Sequence, residues 1–415
     1  MKLFFSLFAA FTLLSLSNYG QGTAQKNIPF IVKGESYWRG VFTLSNGQEV
    51  PFNFLVKSVP GTSKIYFLNA GEEFEGGKIT QAGDSLFVSF DQFDNEFALS
   101  YENNKLTGTL RRQDKKGNPI SLSAVPNNKT RFPETANQPE GDMSGTYDVR
   151  FELPGGREEK AVGLFTQDGK KLKATFLKVT GDSRYLDGIV DGNQFYLSSF
   201  IGSSPVYYRG SFTKDNKISG EIVGQRSNQK FTATPDANAA LPDAYSLTYI
   251  KEGYNDFNFS FPDLQGKTVS LKDEKYKNKV VVVTIGGTWC PNCIDETAFL
   301  SPWYVKNKNR GVEVISLQYE RQSDPAYVTK AITAFKNRFN VQYEQLFAGI
   351  ADKQQVAESL PALNTFLSFP TTIFVGKNGK VDKIHTGFTG PATGKYYDEF
   401  KKEFEEEIAK LLAKK

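Results

Sequence analysis

Cysteine and histidine are the scarcest chemically reactive residues of this 415-residue chain, which contains two cysteines and one histidine. Two cysteines cannot build a disulfide framework, and with a single histidine, His385, they are too few for a zinc site. Charge of one sign is also missing, because 50 lysines and arginines nearly balance 46 aspartates and glutamates. The net charge of +4 gives no basic stripe for nucleic acid. We therefore expect no nucleic-acid partner, no metal and no cofactor.

Glycine and aromatic residues are plentiful by contrast, with 36 glycines and an aromatic fraction of 14%. This composition is typical of an ordered, strand-rich globular protein. At roughly 150 residues per domain, the length predicts two or three domains.

The first residues have the pattern of a secretory signal peptide. Lys2 is followed by an apolar run over residues 3–14 and then by small and polar residues. The alternative is a membrane anchor, but the run is shorter than the ~20 residues that a spanning helix needs. No cysteine lies nearby to carry a lipid. We predict a signal peptide over residues 1–24 and a mature protein in a bacterial periplasm.

The middle of the chain repeats itself at an offset of 109 residues. Phe42 and Leu44 align with Phe151 and Leu153, and further matches follow in the same order. A period this long indicates duplicated domains rather than a solenoid. We predict one β module at 25–135 and a second copy at 140–238, each an antiparallel sandwich or partly open barrel.

Each predicted module is built from strands and tight turns. Tyr147, Val149 and Phe151 alternate with charged residues, which is the pattern of a half-buried strand. Asn46-Gly47 and Gly155-Gly156 occupy the same place in the two copies and suit hairpin turns. The modules contain no cysteine and no histidine, so we expect them to serve as a spacer, docking surface or dimerisation element rather than as a catalyst.

Residues 245–415 alternate strands and helices, which indicates a three-layer α/β domain. The continuous apolar run 280–285 is typical of a strand buried on both faces. Trp289-Cys290-Pro291-Asn292-Cys293 follows this strand and opens a helix predicted to reach about Asn309. Asp324-Pro325 starts another helix, and residues 371–375 and 381–386 form two further strands. We therefore predict a multidomain fold: two all-β modules and a C-terminal α/β domain.

The two cysteines have the spacing of a redox pair. Unpaired N–H groups and the positive end of the helix dipole favour an anion at Cys290, so we predict that Cys290 is the exposed nucleophilic thiolate. Cys293 lies one turn further on the same face, partly buried, where it can resolve a mixed disulfide. The alternative is an inert disulfide or half of a metal site.

A strand followed by Gly287-Thr288-Trp289-Cys290-Pro291-Asn292-Cys293, and a later Ser368-Phe369-Pro370-Thr371-Thr372 before a strand, is similar to the thioredoxin superfamily. Within it, the region 250–415 resembles the exported thiol–disulfide oxidoreductases of the TlpA/ResA type. The Asp-Leu-Gln-Gly-Lys-Thr-Val-Ser-Leu hairpin at 263–271 and the insertion between residues 319 and 369 carry this likeness. The resemblance implies a thioredoxin-like fold for the C-terminal domain.

The resemblance also implies roles for residues around the cysteines. It implies that Pro370 faces the cysteines after a cis peptide bond and that Glu296 affects their titration and proton transfer. It further implies substrate-contacting positions at Trp289, Pro291, Asn292 and Phe369. Thr284 stands where thioredoxin carries a buried aspartate, which leaves open whether the site reduces or oxidises its substrates.

The predicted activity is therefore reduction of disulfides in partner proteins by an exported thiol–disulfide oxidoreductase. A reductase of this kind needs a membrane electron donor. One alternative is a peroxiredoxin-like thiol peroxidase, although Val283 and Gly287 occupy the proline and threonine places of the Pro-x-x-x-Thr-x-x-Cys pattern. The other is a periplasmic binding or assembly protein dominated by the β modules. The sequence leaves the oligomeric state open.

Overall fold

The computed structural model describes residues 34–254 and 256–414. The predicted signal peptide at 1–24 lies outside this range. The described residues form two antiparallel β-barrels and a C-terminal α/β domain, which confirms the predicted fold class. Within the described residues, no helix combines the length and apolar character needed to cross a membrane.

The first barrel is a closed meander of eight antiparallel strands, in which β8 returns to pair with β1. Alternate side chains point inward, and aromatic rings fill the interior, as expected for eight strands. The strands are β1 (Gly34–Thr43), β2 (Glu49–Val59), β3 (Thr62–Asn69), β4 (Glu72–Ala82), β5 (Ser85–Phe90), β6 (Asn95–Glu102), β7 (Lys105–Arg112) and β8 (Ile120–Pro126). The module is thus a fully closed barrel, rather than a sandwich or a partly open barrel.

The second barrel repeats this architecture. Its strands are β9 (Gly145–Leu153), β10 (Arg157–Asp168), β11 (Lys171–Lys178), β12 (Gly181–Asp182), β13 (Leu186–Asp191), β14 (Gln194–Ser199), β15 (Val206–Phe212), β16 (Ile218–Ile222) and β17 (Gln229–Pro235). Pairing of β10 with β11 and of β17 with β9 closes the ring. Strands β11, β14 and β17 begin and end 109 residues after β3, β5 and β8. The structural repeat therefore has the period of the sequence repeat.

The predicted hairpin turns also occur in both barrels. Gly47, Gly155 and Gly156 have φ values of 82°, 80° and 73° at the β1–β2 and β9–β10 turns. Glycine adopts this left-handed region without the steric cost that a Cβ atom brings.

The two barrels are packed tightly against each other. Phe200, just after β14, reaches the aromatic core of the first barrel, with ring centroids 4.7 Å from Phe42 and 4.6 Å from Phe67. Arg131, between the barrels in sequence, is buried and donates to the carbonyl oxygen of Ser198 at 2.9 Å. A shared apolar core and a buried cation together fix the relative position of the barrels.

The C-terminal domain contains a five-stranded sheet in the order β22-β21-β20-β23-β24, with a separate β18–β19 hairpin. The elements are β18 (Ser260–Pro262), β19 (Thr268–Ser270), β20 (Val280–Gly286), α1 (Pro291–Asn307), β21 (Val312–Glu320), α2 (Pro325–Phe339), β22 (Glu344–Ile350), α3 (Lys353–Ser359), β23 (Thr371–Val375), β24 (Val381–Thr386) and α4 (Lys395–Ala413). Strands β20, β21 and β22 run parallel to one another. Strand β23 runs antiparallel to β20, and β24 runs antiparallel to β23.

Strand β20 is buried on both faces, as its apolar run predicts. Val280 and Val282 belong to a core that includes α4, and Val281 and Val283 belong to a core that includes α3. Two cores separated by one sheet make the three layers. Because α1 follows β20 directly, the start of α1 lies at the carboxyl end of the central strand, the usual position for a functional site in such a sheet.

Candidate active site

The two cysteines occupy the first turn of α1 and are joined by a disulfide, with a Cα–Cα distance of 5.2 Å. Cys290 is the N-cap residue, and its Sγ accepts a hydrogen bond from the N–H of Cys293 at 3.3 Å. Pro291 is the first residue of the helix, where its missing N–H has no cost. The helix start therefore holds the two sulfurs together and directs N–H groups at Cys290.

The segment before β23 lies beside Cys290. The Phe369–Pro370 peptide bond is cis, as predicted. The Sγ of Cys290 lies 3.6 Å from the carbonyl oxygen of Phe369. The ring of Trp289 contacts the ring of Phe369 edge-on at 5.5 Å between centroids. The fold thus brings four predicted site residues together from two segments about 80 positions apart.

Glu296 lies one turn beyond Cys293 on α1 and is buried. Its carboxylate accepts a hydrogen bond of 2.5 Å from the hydroxyl of Thr372, two residues after Pro370. Burial raises the pKa of Glu296 to about 7, and the bond from Thr372 opposes this shift. A carboxyl group that titrates near neutral pH is chemically suited to exchange protons with a thiol pair.

Replacement of Glu296 by glutamine is expected to remove a pH-dependent loss of stability. The pKa of Glu296 is about 7 in the folded chain and about 4.5 in the unfolded chain. Between these pH values the folded chain therefore binds more protons than the unfolded chain. The free energy of unfolding therefore falls as the pH rises from 4.5 to 7. Glutamine does not ionise, so the free energy of unfolding of the variant, relative to that of the parent, should rise by on the order of 3 kcal/mol as the pH increases across this range.

Urea unfolding of the parent and the Glu296→Gln variant at about pH 5 and pH 8 measures this difference. Glu252→Gln, at an exposed position, is the control and should shift the midpoint equally at both pH values. If Glu296→Gln shifted the urea midpoint by the same amount at both pH values, this result would contradict a raised pKa for Glu296.

A second buried carboxylate, Glu320, was missed by the sequence analysis. It ends β21 with 0% exposure and accepts hydrogen bonds from the N–H and the hydroxyl of Thr288, at 3.0 Å and 2.9 Å. Burial raises the pKa of Glu320 to about 7. Thr288 is two residues before Cys290, so Glu320 holds the turn that leads into the redox pair. Its position at the end of a strand parallel to β20 was the available signal, because the carboxyl ends of parallel strands lie side by side.

Two further residues from the sequence analysis have structural contacts. The hydroxyl of Thr284 donates to Ser316 at 2.9 Å inside the sheet. His385 is buried, packs edge-on against Tyr245 and Phe400, and its Nδ1 lies 3.0 Å from the carbonyl oxygen of Gly387. Burial lowers the pKa of His385 to about 4, so the ring is neutral at pH 7.

The exposure predicted for Cys290 is wrong in this structure. Cys290 is 5% exposed and Cys293 is 3% exposed, so both are buried. Cys290 is bonded to Cys293 and lies against the carbonyl of Phe369, and Asp182 and Arg184 of the second barrel contact the two residues between the cysteines. The N–H and carbonyl groups of Asp182 pair with the side-chain amide of Asn292 at 3.1 Å and 3.2 Å. The second β module, for which the sequence predicts a spacer, docking or dimerisation role, therefore lies against the helix that carries the cysteines.

Arg184 is the centre of a buried ion network between the three units of the chain. Its guanidinium forms ion pairs with Glu72 of the first barrel and Asp295 of α1, and it donates to the carbonyl oxygen of Pro291 at 3.0 Å. Burial raises the pKa of Asp295 to about 7, with Arg184 opposing the shift.

Within the described residues, no group of three or more His, Cys, Asp or Glu side chains could hold a metal ion.

A thioredoxin-like sheet with a Cys-x-x-Cys pair at a helix start, beside a cis-proline, defines the class of thioredoxin-like thiol–disulfide proteins. The sequence profile of the AhpC/TSA family matches residues 254–384. The chain is 34% identical over 124 residues to the thiol-disulfide oxidoreductase ResA of Bacillus thuringiensis subsp. konkukian, covering 30% of this chain and 63% of that relative. It is 30% identical over 140 residues to ResA of Geobacillus kaustophilus, covering 34% of this chain and 72% of the relative.

This chain therefore belongs to the ResA family of thiol-disulfide oxidoreductases. It spans 63% of the length of the Bacillus thuringiensis relative. Among solved structures, it is similar to a thiol:disulfide interchange protein of the thioredoxin family from Chlorobium tepidum. That similarity has 17% identity and a TM-score of 0.30, and it covers 38% of this chain and 95% of the other.

Proposed function

We propose that this chain reduces disulfides of partner proteins through a dithiol–disulfide cycle of Cys290 and Cys293. The observation that carries the proposal is the placement of both sulfurs in the first turn of α1, bonded to each other and beside the cis Phe369–Pro370 bond. Membership of the ResA family supports the same chemistry.

The cycle begins with the reduced pair. The thiolate of Cys290 attacks one sulfur of a client disulfide, a mixed disulfide forms, and the first client sulfur leaves as a thiolate. Cys293 then loses its proton and attacks the sulfur of Cys290, which releases the second client sulfur. Two electrons pass to the client, which takes up two protons, and the chain is left with the Cys290–Cys293 disulfide seen in the structure.

The neighbouring residues support separate parts of this cycle. Glu296, buried one turn beyond Cys293 and with a pKa of about 7, would accept the proton that Cys293 loses, directly or through water. The carbonyl of Phe369 faces the sulfur of Cys290, where the main chain of a client cysteine would lie. Trp289, Pro291 and Asn292 complete the surface that the client would contact.

The proposed compartment is the bacterial periplasm, on the basis of Lys2 and the apolar run at 3–14. A reductase that works there must itself be reduced, so a membrane electron donor is part of the proposal. The clients are disulfide-containing proteins of the same compartment.

A thiol peroxidase is the second candidate, because the matched profile is that of the AhpC/TSA family. The residues before Cys290 weigh against it, since Val283 and Gly287 stand where the peroxidatic pattern has proline and threonine. A binding or assembly protein is the third candidate, because the two barrels make up more of the described chain than the α/β domain does.

Insulin reduction separates these candidates. With dithiothreitol as electron source, the chain should accelerate precipitation of insulin chains and should not accelerate consumption of hydrogen peroxide. The reduction potential of the Cys290/Cys293 couple, measured in glutathione buffers, should lie nearer thioredoxin, at about −270 mV, than DsbA, at about −120 mV. A potential close to that of DsbA would contradict the proposal that the chain reduces its clients. Turnover of hydrogen peroxide without reduction of insulin would favour the thiol peroxidase.

A further inference from the structure

One segment of the second barrel lies against the first turn of the helix that carries the redox pair. Residues 179–184, here called the covering segment, connect β11 to β13 and include the short strand β12. The main chain of Asp182 pairs with the amide of Asn292, between the two cysteines in sequence. Arg184 donates to the carbonyl oxygen of Pro291 at 3.0 Å. The covering segment therefore contacts both residues that separate Cys290 from Cys293.

The covering segment also contacts the loop that follows β24. The carboxylate of Asp182 accepts a hydrogen bond of 2.6 Å from the N–H of Gly390. The backbone at Gly387 approaches the carbonyl of Val179 so closely that a Cβ atom on Gly387 would lie 2.6 Å from that oxygen. The N–H of Gly387 is bonded to the carbonyl of Pro370 at 2.9 Å. The covering segment thus bridges the helix that carries the cysteines and the loop bonded to the cis-proline.

This bridge occupies the surface that the proposed reaction needs. A client disulfide must reach the sulfur of Cys290 in line with its own sulfur–sulfur bond, yet Cys290 is only 5% exposed. Resting on the proposed function, we propose that the covering segment is a built-in gate, which must move off Asn292 and Gly390 before a client can react.

The contacts of the gate suit a reversible closure. Those of Asp182 are hydrogen bonds to Asn292 and Gly390, groups that water or a client main chain can satisfy in turn, whereas the buried ion pairs of Arg184 hold the end of the segment in place. The backbone of the gate is also held in an uncommon conformation, with φ values of 129° at Gly181 and 56° at Arg184. A closed state held by exchangeable polar contacts leaves only a fraction of molecules open, and the reactivity of Cys290 scales with that fraction.

Gly181 offers a direct way to open the gate. A Cβ atom added at Gly181 would overlap the side-chain amide of Asn292. The Gly181→Ala variant should therefore displace the Asn292 amide, break its pairing with Asp182 and loosen the covering segment, while all charged residues remain. The matched control is Gly145→Ala in the same barrel, at a φ of 143°, where the nearest side-chain atom, on Tyr147, would be 3.8 Å from the new Cβ.

The readout is the rate at which iodoacetamide alkylates Cys290 in the reduced full-length chain, with the modified residue identified by peptide mass spectrometry. Gly181→Ala should raise this rate about tenfold or more, as a larger open fraction requires. Gly145→Ala should leave the rate unchanged. Asp182→Ala, which removes the acceptor for Gly390, should raise the rate as well.

If Gly181→Ala and Asp182→Ala both alkylate at the parent rate, the gate is overturned, even where insulin reduction proceeds normally. If alkylation accelerates but neither the parent nor the variants reduce insulin, the gate stands and the proposed function fails. The two hypotheses therefore fail on different measurements.

Discussion

Replacement of Cys290 by serine is expected to abolish insulin reduction, with a loss of more than about 100-fold, because the nucleophile of the exchange reaction is removed. The structure supports this choice of nucleophile. The sulfur of Cys290 caps α1 and lies 3.6 Å from the carbonyl of Phe369, whereas Cys293 lies inside the helix. Insulin precipitation with dithiothreitol as reductant measures the effect.

Cys293→Ser provides the matched control. This variant retains the attacking sulfur but has no second thiol to release the client, so the mixed disulfide should accumulate. Non-reducing electrophoresis after addition of an oxidised client should show the adduct with Cys293→Ser and not with Cys290→Ser. The opposite pattern would reverse the roles of the two cysteines, and equal activity of all three proteins would exclude both.

Replacement of Arg184 by methionine is expected to destabilise the chain by about 3–5 kcal/mol, the usual cost of leaving a buried charge without its partner. The Arg184 side chain is 8% exposed and pairs with Glu72 and with Asp295, which are each 11% exposed. Without the guanidinium, two carboxylates stay buried between the barrels and α1. The midpoint of urea unfolding should shift down accordingly.

Arg209→Met is the control for this substitution. Arg209 is also paired with a carboxylate, that of Glu221, but its side chain is 43% exposed. A pair in contact with water contributes about 1 kcal/mol or less. An equal, small shift for both variants would mean that the Arg184 network does not hold the three units together.

The local features of this chain were predictable because neighbouring residues determine them. Asp324 caps α2 by accepting from the N–H of Tyr327 at 2.9 Å, and Pro325 is the first helical residue, as the sequence predicts. The last two strands, at 371–375 and 381–386, have the predicted bounds. Alternation of side chains and capping act over a few residues, so they can be seen in the sequence.

The surroundings of the redox pair were not predictable in the same way. Glu320 contacts Thr288 from 32 positions away, and Arg184 reaches Pro291 from 107 positions away. In sequence these are an acidic strand end and an arginine in a loop, with no periodic pattern to mark them. Only the packing of the second barrel on α1 brings Arg184 to Pro291 and Asp295.

The sequence alone determined that a Cys-x-x-Cys pair opens a helix after a buried strand, and that two β modules repeat at 109 residues. The tertiary structure decided that both modules close into barrels, since closure depends on pairs such as β1 with β8. It also decided that both cysteines are buried, in a helix turn that a segment more than 100 residues earlier contacts. Spacing along the chain determines local conformation, whereas access to a sulfur atom depends on which distant surfaces pack against it.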